Sequence, residues 1–284
     1  MSKYIITVAP PTPNGNLHLG HIAGPFLAAD VFNKVMRLLK HETIFVCYSD
    51  DYQDYVVRKS LENSIDRFDW ATKFADQIGA TLEKTEIALD WFMKAYNNPY
   101  FKESVKFFYE NACAKDNIST VNTSVPYSLE DDVYGYEAFA RGTCNYCGAE
   151  SDPSQCEECA NSPNIEKMGE LVSIISKKPM VFVEKEREFF KLGNYTDFLE
   201  RLYRTSFARI ELKEFVSNAI ENCNLDWFID RPDGNGIELT LHGTQKIIHT
   251  WFSGMAGYYA ATQEYSESIG NSSFWREFWT SPET

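Results

Sequence analysis

The run Ala9-Pro10-Pro11-Thr12-Pro13-Asn14-Gly15-Asn16-Leu17-His18-Leu19-Gly20-His21 follows a strand-like stretch, Tyr4-Ile5-Ile6-Thr7-Val8, and opens a helix. A strand, a Pro/Gly turn and a helix start form a ready phosphate site, because free backbone N–H groups at a helix N-terminus attract anions. Gly20, lacking a side chain, is expected to let a ligand approach the backbone, and His18 and His21 to donate to a triphosphate.

Outward from this turn the pattern alternates: a strand at 3–9, a helix at about 20–39, a strand at 43–48, then helical patterns near 65–88 and 99–116. That alternation predicts a parallel α/β sheet of Rossmann type. Pro25 interrupts the first helix, so a kink or a late start is expected there. Residues 117–192 are turn-rich and read as an inserted domain, with β-like pieces at Leu171–Ile175 and Met180–Val183. Helical patterns at 194–206 and 212–222, a loop at Asp230–Gly236, a strand at 237–241 and a helix at 251–267 complete the chain. The expected division is 1–116, the first half of the nucleotide-binding domain; 117–192, the insertion; and 193–284, a helical segment returning to the first domain.

With 284 residues, 44% of them hydrophobic, the chain can bury a substantial core. No apolar run approaches the ~20 residues that span a bilayer, and Met1-Ser-Lys-Tyr4 leads straight into a strand, so a soluble, cytoplasmic protein without a membrane partner is the default expectation. The formal charge of −14 argues against a general nucleic-acid surface, since Lys and Arg dominate phosphate neutralisation. Arg201, Arg204, Arg209 and Lys213 are the densest basic stretch, but Glu200, Glu211 and Glu214 dilute it to a solvated helix face.

Four of the seven cysteines form Cys144-Asn-Tyr-Cys147 and Cys156-Glu-Glu-Cys159. Two such knuckles can close a tetrahedral thiolate cage around a structural zinc, with no open position for catalysis. Two disulfides are the alternative, which requires an oxidising compartment. Cys47, Cys113 and Cys223 read as buried small hydrophobes.

His18-Leu19-Gly20-His21 resembles the first signature of class I aminoacyl-tRNA synthetases, and its surroundings resemble the methionyl-tRNA synthetase family. Ala28–Val31, Arg37–Lys40 and Phe45–Asp51 follow that family's order, and Phe139–Cys159 resembles one knuckle of its zinc insertion. Glu170-Leu171, Ser176–Pro179 and Phe189–Leu192 continue the likeness, which covers nearly the whole chain. The resemblance implies amino-acid activation with ATP and Mg2+, the nucleotide held at Pro11, Asn14, Gly15, His18, Gly20 and His21, the two histidines being catalytic. It implies an amino-acid pocket of Ala9, Pro10, Thr12, Asp50, Trp251 and Tyr258, with Asp50 binding the ammonium. Asp50 also ends the second strand, at the carboxyl edge where ligands of open α/β sheets bind; its alternative is a helix or turn cap, and by pattern alone Trp251 and Tyr258 are core aromatics.

Several positions depart from the family. Pro10 and Thr12 stand where leucine and tyrosine usually line the pocket, Ser253 replaces an acid, and Asp50-Asp-Tyr-Gln-Asp54 replaces Asp-Glu-His-Gly-Thr. No Lys-Met-Ser-Lys-Ser loop occurs before Thr284, and Ser176–Pro179 is no substitute. Three origins fit: a fragment of a longer synthetase, half of a split enzyme completed by a protein partner, or a shortened relative. Three activities follow. One is adenylation of methionine or a related amino acid for transfer to tRNA. The second transfers the activated amino acid to a small molecule, and the third is a non-catalytic amino-acid or nucleotide binder.

Overall fold

Ile44, Val46 and Tyr48 alternate with Phe45 and Cys47 along the strand Glu42–Ser49, and the two sets enter different cores. Side chains of a strand point alternately to opposite faces, so this strand is buried on both. It is the middle of a parallel three-stranded sheet, flanked by Lys3–Thr7 and Trp91–Lys94. On one face it packs with Met93, Phe101 and Val105, Ala256 and Ala260 of helix Thr250–Ser268, and Phe278 of helix Phe274–Thr280. On the other it meets Ile6, Val8, Phe26, and Ile78 and Leu82 of helix Arg67–Lys84. This is the α/β sheet that the alternation predicts.

The computed structural model describes residues 2–221, 226–232, 234–241 and 243–280. Cys223, Asp233 in the predicted 230–236 loop, and residues 281–284 lie outside them. Among the described residues no helix is long and apolar enough to cross a membrane.

The first helix is interrupted at the expected place. A single α turn, Leu19–His21, gives way to a π turn, Ile22–Phe26, that holds Pro25; the N–H of Leu27 reaches back to the carbonyl of Ile22. Proline has no N–H to donate, and a π turn absorbs that gap without ending the helix. The regular helix then runs Leu27–Leu38. Its inward face is polar: Asp30 accepts the Ala88 N–H at 2.9 Å and Asn33 accepts the Thr43 hydroxyl at 2.7 Å. Leu27, Val31, Phe32, Val35 and Leu38 remain exposed.

The sequence reading misses several elements, among them helix Asp54–Asn63, strand Trp91–Lys94, strand Thr244–Ile248, helix Phe274–Thr280 and strand Ile118–Ser128. Strand Ile118–Ser128 reads Ile-Ser-Thr-Val-Asn-Thr-Ser-Val-Pro-Tyr-Ser, too polar on both faces to show alternation; it is ordered by antiparallel pairing with Val181–Phe190 from Ile118↔Phe190 to Tyr127↔Val181. Ile237–Leu241 forms a hairpin with Thr244–Ile248. A separate small sheet, Ala140–Thr143 with Glu150–Ser151 and Gly169–Ser173, carries the cysteine knuckles.

Candidate active site

The turn after the first strand is built around its histidines. His18 caps the short helix: its Nδ1 accepts the Gly20 N–H at 3.0 Å, and the Nδ1 of His21 accepts the His18 N–H at 3.2 Å. With both Nδ1 atoms accepting, each neutral ring carries its proton on Nε2 and can donate outward from there. The rings lie 3.8 Å apart, centroid to centroid. Partial burial, and then the neighbouring His18, lower the pKa of His21, so it is a neutral donor. A Cβ on Gly20 would sit 2.9 Å from the His18 ring, so this glycine makes room for the histidine, a closer constraint than the ligand approach expected of it. Around Gly15 nothing lies within 4 Å of such a Cβ, which leaves open space beside the turn.

Asp50 immediately follows Ser49, the last residue of the second strand, and its N–H donates to the Pro11 carbonyl at 3.0 Å. Ligands of open α/β sheets bind at this carboxyl edge. Asp50 is not the cap of the next helix; Gln53 holds that position. Its carboxylate takes the Thr250 hydroxyl on Oδ1 and Gln53 Nε2 on Oδ2, the latter at 2.7 Å. Burial pushes the Asp50 carboxyl up to about 6, against the opposing pull of those two hydrogen bonds. Burial likewise raises Asp51 to about 7; it accepts the Tyr96 N–H at 2.7 Å and fixes the loop after the third strand.

Helix Thr250–Ser268 closes the site because it carries glycines where the sheet needs room. A Cβ on Gly257 would lie 2.4 Å from the Tyr48 ring, and the Tyr48 hydroxyl donates to the Gly254 carbonyl at 2.9 Å. Close approach brings Tyr258 over the first strand, where its hydroxyl donates to the Val8 carbonyl at 2.9 Å. Tyr258 is half-buried and Trp251 is exposed, so neither is a plain core aromatic. Trp251 shares a cavity with Thr12 and Gln53. The structure thus gathers Pro11, Thr12, Asp50, Trp251 and Tyr258 at one corner, with Ala9 and Pro10 between the first strand and the turn.

A buried charged cluster backs this corner and had no sequence signal. Arg231 reaches Glu137 at 2.8 Å and Asp54 at 3.3 Å, and its guanidinium touches His249 Nε2 at 2.7 Å. Burial first, and then Arg231, lower the pKa of His249 well below its ordinary range, which keeps it neutral. Glu137 also accepts Trp251 Nε1–H at 2.7 Å, joining the insertion to the aromatic wall. Glu137 has φ 34°, unusual for a side-chain-bearing residue, and such backbone persists where its surroundings hold it. Its distance in sequence from Arg231 and Trp251 hides the cluster.

The four Sγ atoms of Cys144, Cys147, Cys156 and Cys159 all lie within 4.8 Å of one another. Each knuckle folds alike: Gly148 N–H to the Cys144 carbonyl at 2.9 Å, and Ala160 N–H to the Cys156 carbonyl at 2.8 Å. Tyr146 N–H points at Cys144 Sγ. Four free thiols converging from two such turns fit a tetrahedral thiophilic metal such as zinc, and the Sγ pairs at 3.9 and 3.6 Å are not disulfides. Cys47 is buried as expected, whereas Cys113, in the last turn of helix Pro99–Ala114, is exposed.

A family model described as tRNA synthetases class I (M) matches residues 4–284. The methionine–tRNA ligase of Chlamydia muridarum is 27% identical over 286 residues, spanning 98% of this chain and 50% of the relative. That of Pyrococcus furiosus is 27% identical over 283 residues, spanning 98% of this chain and 39% of the relative. The chain thus spans about half the length of these relatives, or less. Mycobacterium tuberculosis methionyl-tRNA synthetase in complex with methionyl-adenylate superposes with a TM-score of 0.71 at 19% identity, covering 99% of this chain and 50% of that one. At that identity the structural likeness speaks to the fold.

Proposed function

Because the chain belongs to the class I tRNA synthetase (M) family, methionyl-tRNA synthetase-like in its relatives and fold, we propose that it activates an amino acid with ATP as an aminoacyl-adenylate. The observation that carries this reading is the convergence at one sheet edge: the Asp50 N–H bonds the histidine turn at Pro11, and the Tyr258 hydroxyl bonds the first strand at Val8. An ammonium anchor, a phosphate turn and an aromatic wall are thereby tied together.

In this reading ATP enters as its Mg2+ complex with its phosphates on the turn Pro11–Gly15 and at Gly20. The Nε2–H groups of His18 and His21 donate to the phosphate oxygens as charge builds at the α-phosphorus. Asp50 holds the substrate ammonium, which aims the carboxylate; one carboxylate oxygen attacks the α-phosphorus and pyrophosphate departs. Ala9, Pro10, Thr12, Trp251 and Tyr258 surround the side chain, methionine or a relative of it. Residues 1–116 and 193–284 make the nucleotide-binding body and 117–192 the insertion. There Cys144, Cys147, Cys156 and Cys159 would hold zinc, whose contribution is structural.

The acceptor in this proposal is tRNA. A small-molecule acceptor is the second reading, favoured by the net charge of −14, which opposes a polyanion. Exchange of labelled pyrophosphate into ATP tests the adenylation step. Amino-acid-dependent exchange, reduced at least about 100-fold in H18A and H21A, is expected; no exchange with any of the twenty amino acids overturns the reading.

A further inference from the structure

We propose that Thr250 and Gln53 are positioning residues for Asp50: they lock its carboxylate in the orientation that receives the substrate ammonium, and they lock it to the helix that carries the aromatic wall. The proposal rests on the reading of Asp50 as the ammonium anchor.

Each oxygen of Asp50 takes one donor, and both donors are neutral, the Thr250 hydroxyl on Oδ1 and the Gln53 amide on Oδ2. A neutral donor fixes a carboxylate without cancelling its charge. Each oxygen also keeps a further lone-pair site, so the carboxylate is held and still able to accept from an ammonium. The neighbouring acids do the opposite: Asp54 and Glu137 face a guanidinium, Arg231. One corner therefore holds one acid with neutral donors and two acids with a cation.

The geometry of both donors shows that they are turned to this task. Gln53 occupies the cap position of helix Asp54–Asn63, yet its side chain caps nothing there and reaches Asp50 instead. Thr250 is the first residue of helix Thr250–Ser268, fully enclosed, with a β-branched side chain that admits few rotamers. Trp251 is its neighbour in the chain and Tyr258 lies two turns further along the same helix. A shift of this helix thus moves the ammonium anchor and the side-chain wall together, and amino-acid binding reads both at once.

The titratable groups that face Asp50 are Tyr48 and Asp51 from its own strand and turn, Glu137 from the insertion and Tyr258 from the helix. Loss of the Thr250 donor removes a contact that favours the charged carboxylate, so Asp50 must titrate higher in T250V than in the wild type.

Two measurements test the proposal. In pyrophosphate exchange, T250V and Q53L are expected to raise the amino-acid KM about tenfold with little change in kcat, to move the acid limb of kcat/KM to higher pH, and T250S is expected to restore both. In carboxyl-labelled protein without substrate, the Asp50 resonance, assigned by its loss in D50N, is expected to titrate near 6 and to move upward in T250V but not in T250S. The second readout stands apart from catalysis. A wild type that catalyses no exchange removes the adenylation reading, while an upward shift in T250V still supports the locking of Asp50. An Asp50 titration that is the same in T250V and wild type, or a KM unchanged in T250V, overturns the proposal.

Discussion

Helices Thr250–Ser268 and Leu27–Leu38 both flank the parallel sheet, and they use it in opposite ways. The first turns small residues inward, Gly257 and Ala256 among them, so the backbone settles onto Tyr48 and its aromatics frame a corner closed by buried hydrogen bonds. The second turns Asp30 and Asn33 inward and shows Leu27, Val31, Phe32, Val35 and Leu38 to the outside, beside the first strand, which is paired on one side only. One flank is finished and the other is open. The packed flank buries its small residues and hydrogen bonds, while the other keeps a row of apolar side chains turned away from the sheet.

The largest expected effect lies in the closed corner. Arg231→Leu removes the guanidinium that Glu137 and Asp54 share, and chemical denaturation is expected to show a loss of about 3–5 kcal/mol. A loss below about 1 kcal/mol would show that the corner does not depend on its charged backing. Acidity probes the same corner. The folded-state carboxyl of Asp50 sits at about 6, above its ordinary value of 3.8, so the native chain binds the proton more tightly than the unfolded one. Its contribution is favourable below about 4 and is lost as pH rises through 6, on the order of 3 kcal/mol in all. D50N is expected to flatten that part of the stability profile relative to wild type; an unchanged profile contradicts the burial of this acid.

Smaller effects separate the glycines and then the faces. Gly257→Ala forces a methyl onto the Tyr48 ring and is expected to cost about 1–3 kcal/mol, whereas Gly24→Ala, with nothing within 4 Å, is expected to cost nothing. Equal melting temperatures for the two variants would mean that Gly257 is not where the helix needs room against Tyr48. The mildest case is the outer row: V31K and L38K are expected to change stability by less than about 0.5 kcal/mol each in chemical denaturation. A loss of about 2 kcal/mol or more, the scale of a buried side chain, would mean that this row is packed against the chain.

Legibility in the sequence followed distance along the chain. The histidine turn and the cysteine knuckles were readable because their partners are two to fifteen residues apart, so spacing alone specifies the geometry. Thr250 bonds Asp50 across 200 residues and Trp251 bonds Glu137 across 114, and no local pattern signals either contact. Strand Ile118–Ser128 was missed for a different reason: its order comes from its partner strand, while its own serines and threonines carry no face. Asp50 itself is legible from its place at a strand end together with the family likeness, and its held carboxylate only through the fold.

The π turn at Ile22–Phe26 has a consequence for evolution of this surface. Taking one extra residue into a turn rotates everything after it by about 100° relative to an uninterrupted α-helix. The histidine pair lies before that phase step and the outward apolar row lies after it. The step acts as a coupling sleeve between two shafts: the azimuth of the apolar row can be reset by one insertion or deletion here without altering the sequence or caps of the histidine turn.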